Sequence, residues 1–156
     1  MLKIFLYPFL LFYGIIVFIR NLLYDWNILK SREFDIPVIS IGNITAGGTG
    51  KTPHVEYLAE LLGKEFKVVA LSRGYKRKTR GFKTVEVSSK VSEVGDEPLQ
   101  IKRKFPDITV AVSENRVKGV ENILNAAGDN SPDVIVLDDA YQHRRIYRGI
   151  NILLID

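Results

Sequence analysis

Five short runs rich in valine and isoleucine restrict the folds open to this chain more than any other feature of it. They are "IPVISIG" at 36–42, "KVVALS" at 67–72, "ITVAV" at 108–112, "VIVLDD" at 134–139 and "INILLID" at 150–156. Runs of this length without polar alternation suit strands buried on both faces, as in a parallel sheet. "TVEVS" at 84–88 alternates instead and reads as an edge strand. Amphipathic stretches lie between the runs. In 53–62, Val55, Leu58, Ala59 and Leu62 fall at i, i+3, i+4 and i+7, with Pro53 in the first turn and Gly63 at the end. In 115–127, Val117, Val120, Ile123, Leu124 and Ala127 share one side and Gly128 closes the helix. Strands alternating with helices predict an α/β fold, a mostly parallel sheet flanked by helices. The sequence stops inside the last expected strand, which predicts that it is the front part of a longer protein.

The first run leads into "NITAGGTGKTP". Gly47, Gly48 and Gly50 can adopt backbone conformations closed to other residues, so that consecutive N–H groups point into a concave anion site. A strand before the loop and a helix after it put that site at a positive helix end. Lys51 then reaches terminal phosphates, and the Thr52 hydroxyl suits a magnesium ion bound to them. The plain alternative is a glycine-rich turn with a chance lysine, and Thr45 does stand where the first glycine of G-x-x-x-x-G-K-[ST] belongs. A phosphate loop also needs an acid at the end of another strand. Asp138 and Asp139 follow four apolar residues at such a place, where ligands of open α/β sheets collect. The expected lobe is therefore P-loop NTPase-like.

The N-terminus has a different character. Residues 4–19, "IFLYPFLLFYGIIVFI", carry no charge and lie between Lys3 and Arg20. Sixteen residues fall short of the roughly 20 that span a bilayer, so a membrane-associated helix over 1–26 either spans or lies in the interface. Pro8 and Gly14 are expected to kink or loosen it. A buried core helix is the soluble alternative, but the run offers no polar face. No small-x-small cleavage site follows, which argues against a signal peptide. Tyr7, Tyr13, Tyr24 and Trp26 suit interfacial anchoring, and Arg20, Lys30 and Arg32 favour a cytoplasmic position for the lobe at 27–156.

The net charge of +4 favours anionic partners, and the absence of cysteine excludes disulfides and thiolate metal sites. The basic run Arg73, Lys76, Arg77, Lys78 and Arg80 reads either as a solvated loop or as a grip on lipid headgroups and substrate phosphate. No aromatic–basic platform accompanies it, so nucleic acid is not an expected partner.

"GNITAGGTGKTP", "LSRGYKR" at 71–77, "GDEP" at 95–98, "SENR" at 113–116 and "DDAYQHRR" at 138–145 together resemble the tetraacyldisaccharide 4'-kinase family, the lipid A 4'-kinases. The motifs occur in family order over essentially the whole chain, and Thr or Ser at the position of Thr45 is itself a family trait. The resemblance implies transfer of the ATP γ-phosphate to the 4'-hydroxyl of a lipid A disaccharide 1-phosphate precursor, with magnesium, at the cytoplasmic face of the bacterial inner membrane. It implies a nucleotide loop formed by Thr45, Ala46, Gly47, Gly48, Thr49, Gly50, Lys51 and Thr52. Asp138 and Thr52 would hold the metal, assisted by Asp139, and Asp96 of "GDEP" would help to deprotonate the sugar hydroxyl. Glu97, Arg116, Gln142, His143 and Arg73 would support the site or the substrate. No protein partner is implied.

Each role has a plainer rival in the residues alone. Asp96 can cap the helix suggested by "EPLQIKRKF", and His143 and Gln142 can be structural hydrogen-bonding residues. The chain also departs from the family at Ala140-Tyr141, usually Gly-Phe, at Asn115, usually an acid, and at Gly149, usually Asp. The family resembles a two-domain enzyme in which a C-terminal lobe supplies a histidine to the "GDEP" acid, so the 156 residues alone are expected to be inactive. The rival from another class is a membrane-recruited P-loop ATPase switch. Such proteins carry a lysine immediately before the two glycines, where this chain has Ala46.

Overall fold

A computed structural model describes residues 2–43 and 50–155. The chain divides into two compact units, Met1–Ser31 and Arg32–Asp156.

The first unit is built on helix α1, Leu2–Asp25, which continues through Pro8 and Gly14 without a break. Trp26 closes the last turn through its N–H to the Leu22 carbonyl (2.9 Å), and Asn27, at φ 56°, turns the chain out of the helix. Among the described residues no helix is long and apolar enough to cross a membrane. The spanning form of the expected N-terminal segment is therefore unsupported. Its uncharged run is sixteen residues, and Arg20, Asn21 and Asp25 occupy the turns that would have to complete a span.

The second unit is an open six-stranded sheet. Its strands are β1 Val38–Asn43, β2 Val68–Ser72, β3 Lys83–Thr84, β4 Thr109–Val112, β5 Val134–Leu137 and β6 Ile150–Leu154, arranged in the order β3-β4-β2-β5-β1-β6. All neighbours pair in parallel except β3, which runs antiparallel to β4. Helices α2 Lys51–Leu62, α3 Val91–Val94, α4 Asp96–Lys104 and α5 Arg116–Ala127 connect them. The four central strands are buried on both faces, as their unbroken Val/Ile runs require. Ile39, Ile41, Val68, Ala70, Val110, Val112, Val134 and Val136 face one way and pack with Val55 of α2 and Leu99 and Ile101 of α4. Val38, Val69, Leu71, Ala111, Ile135 and Leu137 face the other way, onto Val120 and Ile123 of α5. The result is a three-layer sandwich with α2 and α4 on the same side.

Two expectations change. "INILLID" forms β6 over Ile150–Leu154, but at an edge of the sheet among the described residues, paired with β1 and exposed or half-buried along its length. "TVEVS" contributes only Thr84 to β3. Val85 still bonds across to the Val110 carbonyl (2.8 Å), and then the Ser89 hydroxyl accepts the Glu86 N–H (2.9 Å) and folds the segment into a turn.

Candidate active site

β1, β2, β4 and β5 all end on one rim of the sheet, and the motif residues follow those ends. β1 ends at Asn43 and α2 begins at Lys51. Of the expected nucleotide loop, Thr45, Ala46, Gly47, Gly48 and Thr49 lie outside the described residues. Gly50 immediately precedes α2 at φ 73°, a left-handed conformation that glycine adopts without strain. Lys51 and Thr52 therefore occupy the first turn of the helix, where backbone N–H groups and the helix dipole favour an anion. The Lys51 ammonium donates to Asn43 Oδ1 (3.0 Å) and lies 3.6 Å from Asp139 Oδ1. Asp139 is exposed, so this pair contributes little stability. Asp139 also sits at φ 48°, unusual for a residue with a side chain, at the start of the turn after β5.

Asp138, by contrast, is buried. Its N–H donates to the Leu71 carbonyl (3.0 Å), and its carboxylate accepts the Ser72 hydroxyl (3.2 Å). Arg116, equally buried at the start of α5, donates to the Asp138 carbonyl (2.8 Å) and to the Ser113 carbonyl (2.7 Å). Burial raises the Asp138 carboxyl above its ordinary value, opposed by the Ser72 hydrogen bond and the charge of Arg116. Burial also pushes Arg116 down to about 10, opposed by Asp138 and Asp139, so it stays charged at neutral pH. Arg73 lies near enough to lower Arg116 further.

The "GDEP" acids open α4. Gly95, at φ 93°, is its N-cap, and Asp96 is the first helical residue rather than the cap, accepting the Glu97 N–H (3.0 Å). Glu97 is raised above the usual carboxylate range by partial burial first, then by Asp138, Asp96 and Asp139, with Lys51 opposing. The charges of Lys51 and of the acid pair after β5 thus act on the carboxyl at the start of α4. Gln142 and His143 lie in the turn that continues from Asp139, closed by the His143 N–H to the Ala140 carbonyl (3.0 Å).

Hard oxygen donors suit magnesium, which takes one or two carboxylates and completes its shell with phosphate and water. Thr52 and Asp138 supply such donors. Among the described residues no group of three or more histidine or acidic side chains is arranged to hold a metal.

A sequence model of the tetraacyldisaccharide-1-P 4'-kinases, LpxK, matches residues 2–156. The chain belongs to this family. It is 56% identical over 151 residues to the tetraacyldisaccharide 4'-kinase of Phocaeicola vulgatus, covering 97% of this chain and 41% of the relative. It is 50% identical over 154 residues to that of Flavobacterium johnsoniae, covering 99% and 45%. The crystal structure of an "apo" form LpxK from Aquifex aeolicus in complex with ATP matches with a TM-score of 0.87 and 44% identity, over 99% of this chain and 49% of that one. The chain thus spans less than half the length of these tetraacyldisaccharide 4'-kinases.

Two residues inside the quoted motifs were given no role there, and a third lies outside them. Asn43 binds Lys51, Ser72 binds Asp138, and Arg148, outside the motifs, staples the turn after Asp139 by donating to the carbonyls of Ala140 (3.0 Å) and Tyr141 (2.7 Å). The available signal for Asn43 and Ser72 was a polar residue at the end of an apolar strand run. Arg148 gave none. Arg77, grouped by sequence with the exposed basic residues, instead has a buried side chain paired to Glu114 (2.7 Å) and the Gly81 carbonyl (2.5 Å). It holds its loop, whereas Arg73, Lys76, Lys78 and Arg80 face solvent.

Proposed function

We propose that the complete protein transfers the γ-phosphate of ATP to the 4'-hydroxyl of a tetraacyldisaccharide 1-phosphate, a step of lipid A biosynthesis, at the cytoplasmic face of the inner membrane. The observation that carries this reading is the convergence of Lys51, the Asp138–Asp139 pair and the Asp96–Glu97 pair on one rim of a sheet belonging to the 4'-kinase family. In this reading the loop 45–52 cradles the nucleotide and Lys51 neutralises its terminal phosphates. Thr52 and Asp138 would hold magnesium, which would supply charge neutralisation at the nucleotide phosphates. Asp96 takes the proton of the acceptor hydroxyl as its oxygen bonds to the γ-phosphorus and the bond to the bridging oxygen breaks, releasing ADP. Glu97 and Arg116 shape the field at the reacting groups, and Asp139 restrains Lys51. Gln142, His143 and Arg73 are supporting positions at the substrate side. Positioning and preorganised charge carry most of such catalysis. Helix α1 associates with the membrane, supported by its uncharged run and by exposed Leu11, Phe12, Ile16 and Phe18.

The test is transfer of radiolabelled γ-phosphate from ATP to purified tetraacyldisaccharide 1-phosphate by the complete gene product, beside this 156-residue chain. Transfer by the complete protein and none by the shorter chain is expected. ATP hydrolysis without transfer by either would favour the ATPase switch.

A further inference from the structure

Glu56 is a buried acid that the proposed chemistry does not use. Its two oxygens are both engaged by α4: Oε1 accepts from Gln100 Nε2 (2.7 Å) and Oε2 pairs with Lys104 Nζ (2.5 Å). The Glu56 side chain is 9% exposed and that of Lys104 53%, so the carboxylate is the desolvated partner and the lysine reaches in from the surface. Helix periodicity gives the arrangement its meaning. Residues four apart lie one above the other on a helix face, about one 5.4 Å turn apart. One turn toward the start of α2 from Glu56 stands Thr52, and one turn toward the start of α4 from Gln100 stands Asp96. The two helices pack against each other on the same face of the sheet, and the charge of Lys51 acts on the carboxyl of Glu97.

We propose that the Glu56–Gln100–Lys104 bridge is a positioning clamp that sets the spacing between the nucleotide end of α2 and the acceptor-acid end of α4. Direct apolar packing between these helices is shared with the sheet face beneath them, through Val55, Leu99 and Ile101, and greasy contacts tolerate sliding. A carboxylate held by two donors from successive turns of its neighbour fixes both height and rotation. Removing the carboxylate leaves the donors able to turn to water and frees α4 to shift along α2. A misplacement of about 1 Å at the reacting atoms can cost about 100-fold in rate.

The functional part of this inference rests on the kinase reading, whereas the clamp itself is measurable without it. In the complete protein, Glu56→Ala is expected to lower kcat for phosphate transfer by about 10-fold or more, measured well below the unfolding temperature, with the Kd for ATP within about twofold of wild type. Glu56→Gln, which keeps an acceptor for Gln100, should recover part of the loss. The exchanged pair Glu56→Lys with Lys104→Glu should recover more than either single change. Hydrogen exchange at the amides of residues 100–104 should accelerate in Glu56→Ala while that of β4 stays unchanged. Unaltered exchange in α4 would overturn the clamp whether or not the protein proves to be a kinase. Accelerated exchange with unchanged kcat, or a loss of kcat matched by an equal loss of ATP affinity, would overturn its positioning role.

Discussion

Burial raises the affinity of the Asp138 carboxyl for its proton, and the Ser72 hydroxyl and Arg116 guanidinium recover part of that cost. The sign of the consequence follows from linkage. A carboxyl whose folded value lies above its unfolded one binds more protons in the folded state. Stability therefore falls as pH rises from the ordinary value of 3.8 through the raised folded value. Asp138→Asn removes the charge and keeps an oxygen for Ser72. It is expected to raise the Tm at pH 7.5, with the gain vanishing in melts below the ordinary carboxylate range. Phosphate transfer should fall by at least about 100-fold if, as proposed, that charge holds the metal. A lowered Tm at pH 7.5 would show that the ionised form stabilises the fold. Asp138 and Lys51 were readable in sequence because each sits at a strand-to-helix or strand-to-turn junction within a local pattern. Ser72 and Arg116 contribute through partners 66 and 22 residues away, and no local pattern encodes those contacts.

At the scale of elements, the strand runs at 36–42, 67–72, 108–112 and 134–139 were readable because a strand buried on both faces leaves little room for polar residues. Helix starts were less so. α2 begins at Lys51 rather than Pro53, since a glycine loop delivers the chain to the helix with no capping side chain to mark the boundary. Asn115, a departure from the family's usual acid, accepts the Lys118 N–H (3.1 Å) and caps α5, a role that needs an acceptor but no charge. Gly42 lies so close to the turn after β5 that an added Cβ would sit 2.5 Å from Tyr141 Cβ, a constraint visible only once the turn is folded. Helix α1 makes a separate prediction. Leu11, Phe12, Ile16 and Phe18 are each more than 60% exposed in the chain as it stands, a density of apolar surface that a lipid interface would cover. Deleting residues 1–20 from the complete protein is expected to move it from the membrane to the soluble fraction on cell fractionation. Unchanged partitioning would transfer the anchoring role to the basic residues Arg73, Lys76, Lys78 and Arg80 or to another surface.

Across the whole molecule, function depends on strand order, which the sequence pattern left open. β5 lies between β1 and β2, so the acids after β5 stand between the end of β1 at Asn43 and Ser72 and Arg73 at the end of β2. α2 and α4 then share one face, and Lys51 acts on the Glu97 carboxyl although 45 residues separate Lys51 from Asp96. The kinase account requires these two ends to have different duties, one holding nucleotide and the other activating the acceptor. The most direct test is steady-state transfer by the complete protein carrying Asp96→Ala, with ATP affinity measured on the same preparation. The account predicts that kcat falls by about 100-fold or more while the Kd for ATP changes by less than about threefold. A loss confined to ATP affinity, with kcat preserved, would contradict it.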